Sequence, residues 1–156
     1  MIEINIPGWK SLELEHLICD VNGTLALDGK LLEGLVEEIT DLRKKLSVHL
    51  ITADTHGQQS IISQQLNLPA ELLTPGRESL QKAQFARKMG AEHVVAIGQG
   101  ANDAEMLKTA GLVICILSKE GCAASALLNS DIIAPDIFTA LDLLNHPLRI
   151  AATLRK

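Results

Sequence analysis

The stretch Cys19-Asp20-Val21-Asn22-Gly23-Thr24-Leu25 decides the fold of this chain. It continues the largely apolar run 14–19, and a buried strand that ends in an aspartate and a glycine turn is typical of the edge of a sheet where ligands bind. Gly23 allows a sharp turn or a close approach to a ligand, and Thr24 adds a hydroxyl and an amide beside the carboxylate of Asp20. The stretch therefore indicates a phosphate-binding corner, although aspartate and glycine are also common in ordinary turns.

Beyond this stretch, predicted strands and helices alternate along the chain. Apolar runs bounded by turn residues predict strands at 1–6, 14–19, 48–53, 71–74, 94–97, 112–117 and 132–133. Helical spacing of apolar residues predicts helices at 33–46, 58–66, 77–89, around 106–107, and at 123–128 and 137–144. The alternation predicts the α/β class, with a doubly wound parallel sheet in a single domain that spans residues 1–156. The first of these strands has the pattern of an edge strand.

Composition excludes several classes of function. The chain has 156 residues, of which 47% are hydrophobic, enough for one well-buried core. Its formal net charge is −5 and it has no basic cluster, so nucleic acid is not an expected partner. No apolar run approaches the ~20 residues that span a bilayer, and the N-terminus does not resemble a signal peptide. We therefore expect a cytoplasmic protein that does not bind a membrane.

Four stretches resemble, in the same order, the motifs of the haloacid dehalogenase (HAD) superfamily. Residues 20–25 resemble the first motif, aspartate-x-aspartate-glycine-threonine, whose first aspartate is the nucleophile. Residues 50–54 resemble the second motif, a strand that ends in threonine, and are similar to the threonine-glycine-aspartate of P-type ATPases. Lys82 lies where the third motif has its lysine, and residues 98–103 resemble the fourth motif, glycine-aspartate-glycine-x-asparagine-aspartate. The chain is identified as a member of this superfamily, similar to the phosphorylation domain of P-type ATPases.

The resemblance implies a Rossmann-like fold with a small β-hairpin flap over the active site. Asp28 and Gly29 stand between apolar residues in 25–32, which by itself predicts a tight hairpin. Residues 25–49 leave room only for this flap and a helix, so no cap domain and no nucleotide-binding insertion are expected. The site would then be open, unless a homo-oligomer covers it.

The resemblance also assigns roles to residues of a phosphoryl-transfer site. Asp20 would attack phosphorus and form a phosphoaspartate, while the Thr52 hydroxyl and the Lys82 cation would stabilise the phosphoryl oxygens. The catalytic residues implied are Asp20, Asn22, Thr52 and Lys82. The phosphate-binding residues implied are Gly23, Thr24, Thr52, Ala53 and Lys82.

Two motif positions that are normally acidic carry amides in this chain. Asn22 replaces the aspartate that acts as general acid and base, and Gln99 replaces an aspartate that binds the metal directly. The metal ligands implied are Asp20, Asn22 through its carbonyl, Gln99 and Asp103. Because Mg²⁺ prefers carboxylate oxygens, we expect weak Mg²⁺ binding. Asp103 also has a purely structural alternative role, as the N-cap of a helix.

Three functions remain open from the sequence. The first is a phosphohydrolase or phosphotransferase of low activity that acts on a phosphorylated small molecule or a phosphoprotein. The second is a non-catalytic binding or regulatory protein with the same fold, which the two amides favour. The third is a phosphoacceptor domain of the receiver type, which ranks last because only one acid ends the first strand of the sheet.

Overall fold

A computed structural model describes residues 1–53 and 57–156. The strands in chain order are β1 (Ile2–Asn5), β2 (Ser11–Leu14), β3 (His16–Asp20), β4 (Ala26–Leu27), β5 (Lys30–Leu31), β6 (Ser47–Thr52), β7 (Ala70–Leu72), β8 (Val94–Gly98), β9 (Leu112–Ile116) and β10 (Ile132–Ala134). The helices are α1 (Leu35–Leu42), α2 (Gln59–Leu66), α3 (Glu78–Lys88), α4 (Ala104–Thr109), α5 (Ala124–Leu128), α6 (Ile137–Asn145) and α7 (Pro147–Leu154).

Six of the strands form a parallel sheet in the order β10-β9-β8-β3-β6-β7. Alternate residues of β3 face opposite sides, so Leu17 and Cys19 join one apolar core while Ile18 joins the other. Side chains on both faces are buried because helices cover both sides of the sheet. The prediction of a doubly wound parallel sheet is confirmed.

The N-terminal strand is an edge strand, as its pattern predicts, but it belongs to a separate two-stranded sheet and not to the central one. Instead β1 pairs antiparallel with β2, and the two strands form a separate hairpin. The predicted run 14–19 is thus two strands, because the chain breaks at Glu15 between β2 and β3. Helix α7 was not predicted either; the chain that follows it returns to the N-terminal hairpin, where Lys156 N–H donates to the carbonyl of Pro7 at 3.1 Å.

The predicted flap is confirmed. Strands β4 and β5 pair antiparallel around Asp28 (φ 51°) and Gly29 (φ 77°). Two consecutive residues with positive φ are what a type I′ hairpin turn requires, and aspartate followed by glycine meets that requirement. Only α1 lies between this flap and β6, so no cap domain is inserted there. No helix in the described ranges has the length and hydropathy needed to cross a bilayer.

The register of the central strands brings three motifs to one edge. Asp20 pairs with Ile51 of β6, and Cys19 pairs with Ile97 of β8. The chain leaves these neighbouring strands at Asp20, Thr52 and Gly98. Because all three strands are parallel, their carboxyl ends meet at the same edge, where ligands of open α/β sheets bind.

Candidate active site

Asp20 ends β3 and begins a compact turn. The carbonyl of Val21 accepts from the N–H groups of Thr24, Leu25 and Ala26, at distances from 2.9 to 3.2 Å. The turn returns the Thr24 hydroxyl to Asp20, whose Oδ2 it approaches at 3.4 Å. Both residues are buried, so the sequence after β3 closes around its own carboxylate.

Lys82 brings the positive charge to this carboxylate from α3. Its side chain is fully buried, with 0% of its surface exposed. Its Nζ donates to Asp20 Oδ1 at 2.5 Å and to Asp103 Oδ1 at 2.6 Å. Burying an ammonium group is costly unless it is paired, and these two contacts supply the pairing.

Asp103 holds the loop that follows β8. Its Oδ2 accepts from the backbone N–H groups of Gln99 at 3.0 Å and Gly100 at 2.8 Å. The side chain lies so close to Gly98 that a Cβ there would be 2.6 Å from its Cγ, which explains glycine at the end of β8. Asp103 directly precedes α4, but its side chain makes no capping hydrogen bond to that helix; as the last residue of the short turn 101–103 it accepts from Gly100 N–H instead, so the predicted N-cap role is not confirmed.

Two carboxylates thus share one lysine in a buried site. Burial raises the pKa of Asp20, the nearby charge of Asp103 raises it further, and Lys82 and Thr24 offset part of the shift, which brings the pKa to about 7. Burial alone would lower the pKa of Lys82, but the charges of Asp20 and Asp103 outweigh it, and the pKa is raised. In an exposed ion pair the pKa of the acid would be lowered; here burial, reinforced by the second acid, reverses that direction. Lys82 therefore stays charged while Asp20 is poised to exchange a proton.

The second motif joins the site through Asn22. Its side-chain amide donates from Nδ2 to Thr52 Oγ1 at 3.1 Å. Thr52 is buried at the end of β6, and Ala53 follows it half-buried. Asp54, the last residue of the stretch that resembled the second motif, lies outside the described residues.

This architecture has relatives. No protein-family model matches the chain. The uncharacterized protein MJ0073 of Methanocaldococcus jannaschii is 39% identical to it over 84 residues, which are 51% of this chain and 90% of that protein. The chain belongs to the family of MJ0073.

Solved structures of HAD hydrolases share the fold. This chain therefore has the HAD fold. The cobalt-bound deoxy-D-mannose-octulosonate 8-phosphate phosphatase of Haemophilus influenzae superposes with a TM-score of 0.72 at 13% identity, covering 92% of this chain and 94% of that one. The 3-deoxy-D-manno-octulosonate 8-phosphate phosphatase of Moraxella catarrhalis, in complex with magnesium, phosphate and KDO, gives a TM-score of 0.62 at 16% identity, covering 91% and 90%.

At the edge of this HAD fold, Gln99 and Glu120 meet over Gly23. A Cβ on Gly23 would lie 2.5 Å from Glu120 Oε2 and would collide with the side-chain nitrogen of Gln99. Gly23 has φ +76°, so both its conformation and its neighbours favour glycine. Sequence reasoning missed Glu120, because it lies in a loop that matches no motif.

The oxygen donors at this edge suit a hard cation. Within the described part of the chain, no cluster of three or more His, Cys, Asp or Glu side chains is arranged to hold a metal. The available donors are the carboxylate of Asp20, backbone carbonyls and the amide of Gln99, all oxygens of the kind that Mg²⁺ prefers. Asp103 already accepts from Lys82 and two backbone N–H groups, so its predicted role as a ligand stays a prediction.

A cleft of about 370 Å³ opens beside the turn that follows Asp20. Gly23 and Thr24 form one wall, and the other walls come from the flap, from the end of β9 and from the start of α6. The residues that line the rest of the cleft are mainly apolar: Ala26, Leu27, Leu32, Ile116, Leu117, Ser118, Lys119, Pro135, Asp136, Ile137 and Phe138. Its lining suits a small, largely apolar group.

Proposed function

We propose that this chain is an HAD-type phosphohydrolase or phosphotransferase that acts through a phosphoaspartate on Asp20. The observation that carries the proposal is the buried contact of Lys82 with both Asp20 and Asp103, at the carboxyl edge of an HAD fold. Removing a lysine and two carboxylates from water costs free energy that an apolar core would not, so stability alone is a poor reason for this arrangement. Phosphoryl transfer, by contrast, needs such a fixed charge beside the nucleophile.

The two oxygens of Asp20 have different surroundings. Oδ1 accepts the short contact from Lys82, whereas Oδ2 has only the longer contact with the Thr24 hydroxyl. Oδ2 is therefore the oxygen that attacks phosphorus, and a bond from this oxygen to phosphorus forms as the bond to the leaving oxygen breaks. Lys82 holds the other oxygen in place and reduces the repulsion between the carboxylate and a phosphate dianion.

Thr52, Thr24 and Ala53 are the proposed contacts of the transferring phosphoryl oxygens, with Gly23 leaving room for their close approach. Thr52 accepts a hydrogen bond from Asn22, which fixes its hydroxyl oxygen at the carboxyl end of β6, beside Asp20. When bound, Mg²⁺ would neutralise charge on the phosphate; Asp20, the carbonyl of Asn22 and Gln99 are the residues proposed to hold it.

Asn22 determines how fast the reaction can be. An amide cannot give a proton to the leaving oxygen or remove one from water, and general acid–base help is worth about 10²–10⁴-fold. Low activity is therefore proposed, with preference for leaving groups that depart without a proton. A long-lived phosphoaspartate would also be the property that makes this site similar to that of P-type ATPases.

The substrate class follows from the cleft. We propose a phosphomonoester of a small molecule with an apolar group, because the walls beyond Thr24 are largely hydrocarbon and the volume is that of a small ligand. A phosphoprotein is the other partner that the sequence left open, and a homo-oligomer would enclose the cleft further. We place the reaction in the cytoplasm, where phosphorylated metabolites are abundant.

The test is labelling of the protein by acetyl phosphate together with a magnesium-dependent assay on aryl and alkyl phosphates. Wild type should form one acid-stable phosphoenzyme and turn over aryl phosphates slowly, and Asp20→Asn should do neither. Glu37→Gln, which removes an exposed carboxylate on α1, should behave as wild type. Labelling that survives in Asp20→Asn would exclude Asp20 as nucleophile.

The two amides favour a second candidate, a binding or regulatory protein without turnover. In that case inorganic phosphate or an aryl phosphate would bind to wild type, and neither labelling nor product would be detected at any Mg²⁺ concentration.

A further inference from the structure

Glu120 lies in a tight turn that follows β9. Its N–H donates to Ser118 Oγ at 2.9 Å, and Gly121 N–H donates to the Ser118 carbonyl at 2.9 Å. The next segment is joined to the fourth-motif loop, since Ala123 N–H donates to the Gln99 carbonyl at 2.9 Å. The turn is therefore ordered, and it holds Glu120 at the same edge of the sheet as Gln99.

The carboxylate of Glu120 points toward the reacting corner. Its Oε2 would be 2.5 Å from a Cβ on Gly23, the same point where the Gln99 side-chain nitrogen would collide. Gly23 is flanked by Asn22 and Thr24, and Thr24 contacts Asp20. Glu120 thus lies over the solvent side of the turn that closes around the nucleophile.

Neither of these two side chains has a hydrogen-bond partner within residues 1–53 and 57–156. Gln99 is 8% exposed, and its side-chain amide is not among the described polar groups that are shut off from water without a partner, so solvent satisfies it in the absence of a ligand. Glu120 is exposed, and its carboxylate forms no ion pair with a described residue. A cation here would be bound by the free carboxylate of Glu120; of the Gln99 amide only the oxygen is a ligand, and the nitrogen is the atom that lies at Gly23.

We propose that Glu120 binds the divalent metal of this site and so replaces the carboxylate that is absent at Gln99. The proposal deepens the proposed function, because the metal is that of the phosphoryl-transfer site. Mg²⁺ sites in proteins commonly combine one or two carboxylates with neutral oxygens. Asp20 supplies one carboxylate, while the oxygens of Asp103 are taken by Lys82 and by two backbone N–H groups. Glu120 is the nearby acid that remains free to supply the second.

The test measures metal binding without turnover. Affinity for Mn²⁺ is followed by electron paramagnetic resonance of the free ion, and affinity for Mg²⁺ by calorimetry. Glu120→Gln, which keeps the shape of the side chain, should weaken binding about 10-fold, a change typical for residues that support a metal site. Glu37→Gln removes an equal charge on α1 and should leave affinity unchanged. Gln99→Asp should tighten binding about 10-fold, and Gln99→Asp with Glu120→Gln should return close to wild type.

The proposal is overturned if Glu120→Gln binds Mn²⁺ as tightly as Glu37→Gln, or if wild type binds neither metal. Its failure is distinguishable from failure of the proposed function. Labelling by acetyl phosphate with unchanged metal affinity in Glu120→Gln would reject the role of Glu120 alone. Weakened metal binding in Glu120→Gln without any labelling of wild type would support Glu120 and reject the phosphoaspartate.

Discussion

Asn22 donates a hydrogen bond from its side-chain amide to the hydroxyl of Thr52 across 3.1 Å. The two residues come from the first and second motifs, 30 positions apart. The bond fixes the amide of Asn22 against the end of β6 and directs the Thr52 hydrogen away from Asn22. It therefore links the position that lacks an acid to a residue proposed to bind phosphate.

Restoring the acid at position 22 should shorten the life of the phosphoenzyme. In Asn22→Asp the new carboxylate can accept from the Thr52 hydroxyl and can also activate water, so phosphoenzyme decay should accelerate by about 10–100-fold. The increase should be larger where Gln99→Asp is also present. The measurement is single-turnover decay of labelled protein. Asn22→Ala is the control, and it should not accelerate decay. Equal decay of wild type and Asn22→Asp in both backgrounds would place position 22 away from the reacting phosphate.

Removing the charge of Lys82 should destabilise the protein strongly. Lys82→Met keeps most of the side-chain volume but leaves Asp20 and Asp103 buried without a cation, so the free energy of unfolding should fall by about 3–5 kcal/mol. Urea titration measures it. Lys108→Met is the matched control, because Lys108 pairs with Glu105 at 2.8 Å on the surface, with side chains 51% and 48% exposed. That pair should be worth less than about 1 kcal/mol. An equal decrease in the free energy of unfolding in the two variants would mean that the buried contacts of Lys82 stabilise the protein no more than the surface pair does.

Replacing Asp20 by asparagine should make the metal-free protein more stable at alkaline pH. The folded pKa of Asp20, about 7, is above its usual value of 3.8, so the stabilising effect of its proton is complete below that usual value and is lost progressively as pH rises to about 7. In Asp20→Asn the neutral amide replaces the carboxyl group and does not titrate in this range. This variant should therefore be more stable than wild type at pH 8, by about 1 kcal/mol or more, and this advantage should be smaller at pH 5.

The pH dependence of that difference is the measurement that matters. Thermal unfolding of wild type and Asp20→Asn between pH 5 and pH 8, with a chelator present, gives it directly. Glu37→Gln should show no comparable divergence from wild type. A difference that is constant with pH, or that favours wild type at pH 8, would show that Asp20 does not take up its proton in this range.

The apolar wall of the cleft should determine preference among substrates. Leu117 lines the cleft and is 48% exposed, so Leu117→Gln should fold normally. It should raise KM about 3–10-fold for phosphomonoesters with an apolar group and leave acetyl phosphate unaffected, since lost apolar contact in a pocket is worth about 1 kcal/mol. Leu148→Gln on α7 is the control, because Leu148 is 84% exposed and lies outside the cleft. Equal KM values for the two variants would mean that the cleft does not contact the apolar group of the substrate.

Local patterns in the sequence were sufficient for the architecture. Apolar runs such as 94–97 could be assigned to strands buried on both faces, and the Asp28-Gly29 pair defined its own turn, because both depend on neighbouring residues only. The N-terminal hairpin was missed because Glu15, which separates β2 from β3, and His16 beside it form only a short polar break in a largely apolar run. The same pattern would also fit one continuous strand.

The sequence by itself determined which residues could take part in the site: the motifs placed Asp20, Thr52, Lys82 and the 98–103 loop at strand or helix positions. Only the tertiary structure decided that one lysine serves two acids, because pairing depends on the register of parallel strands and on how α3 packs. The position of Glu120 over Gly23 was likewise decided by folding. A charged residue in an exposed turn has no periodic signal, and its proximity to the site exists only once the ends of β3, β8 and β9 have come together at one edge of the sheet.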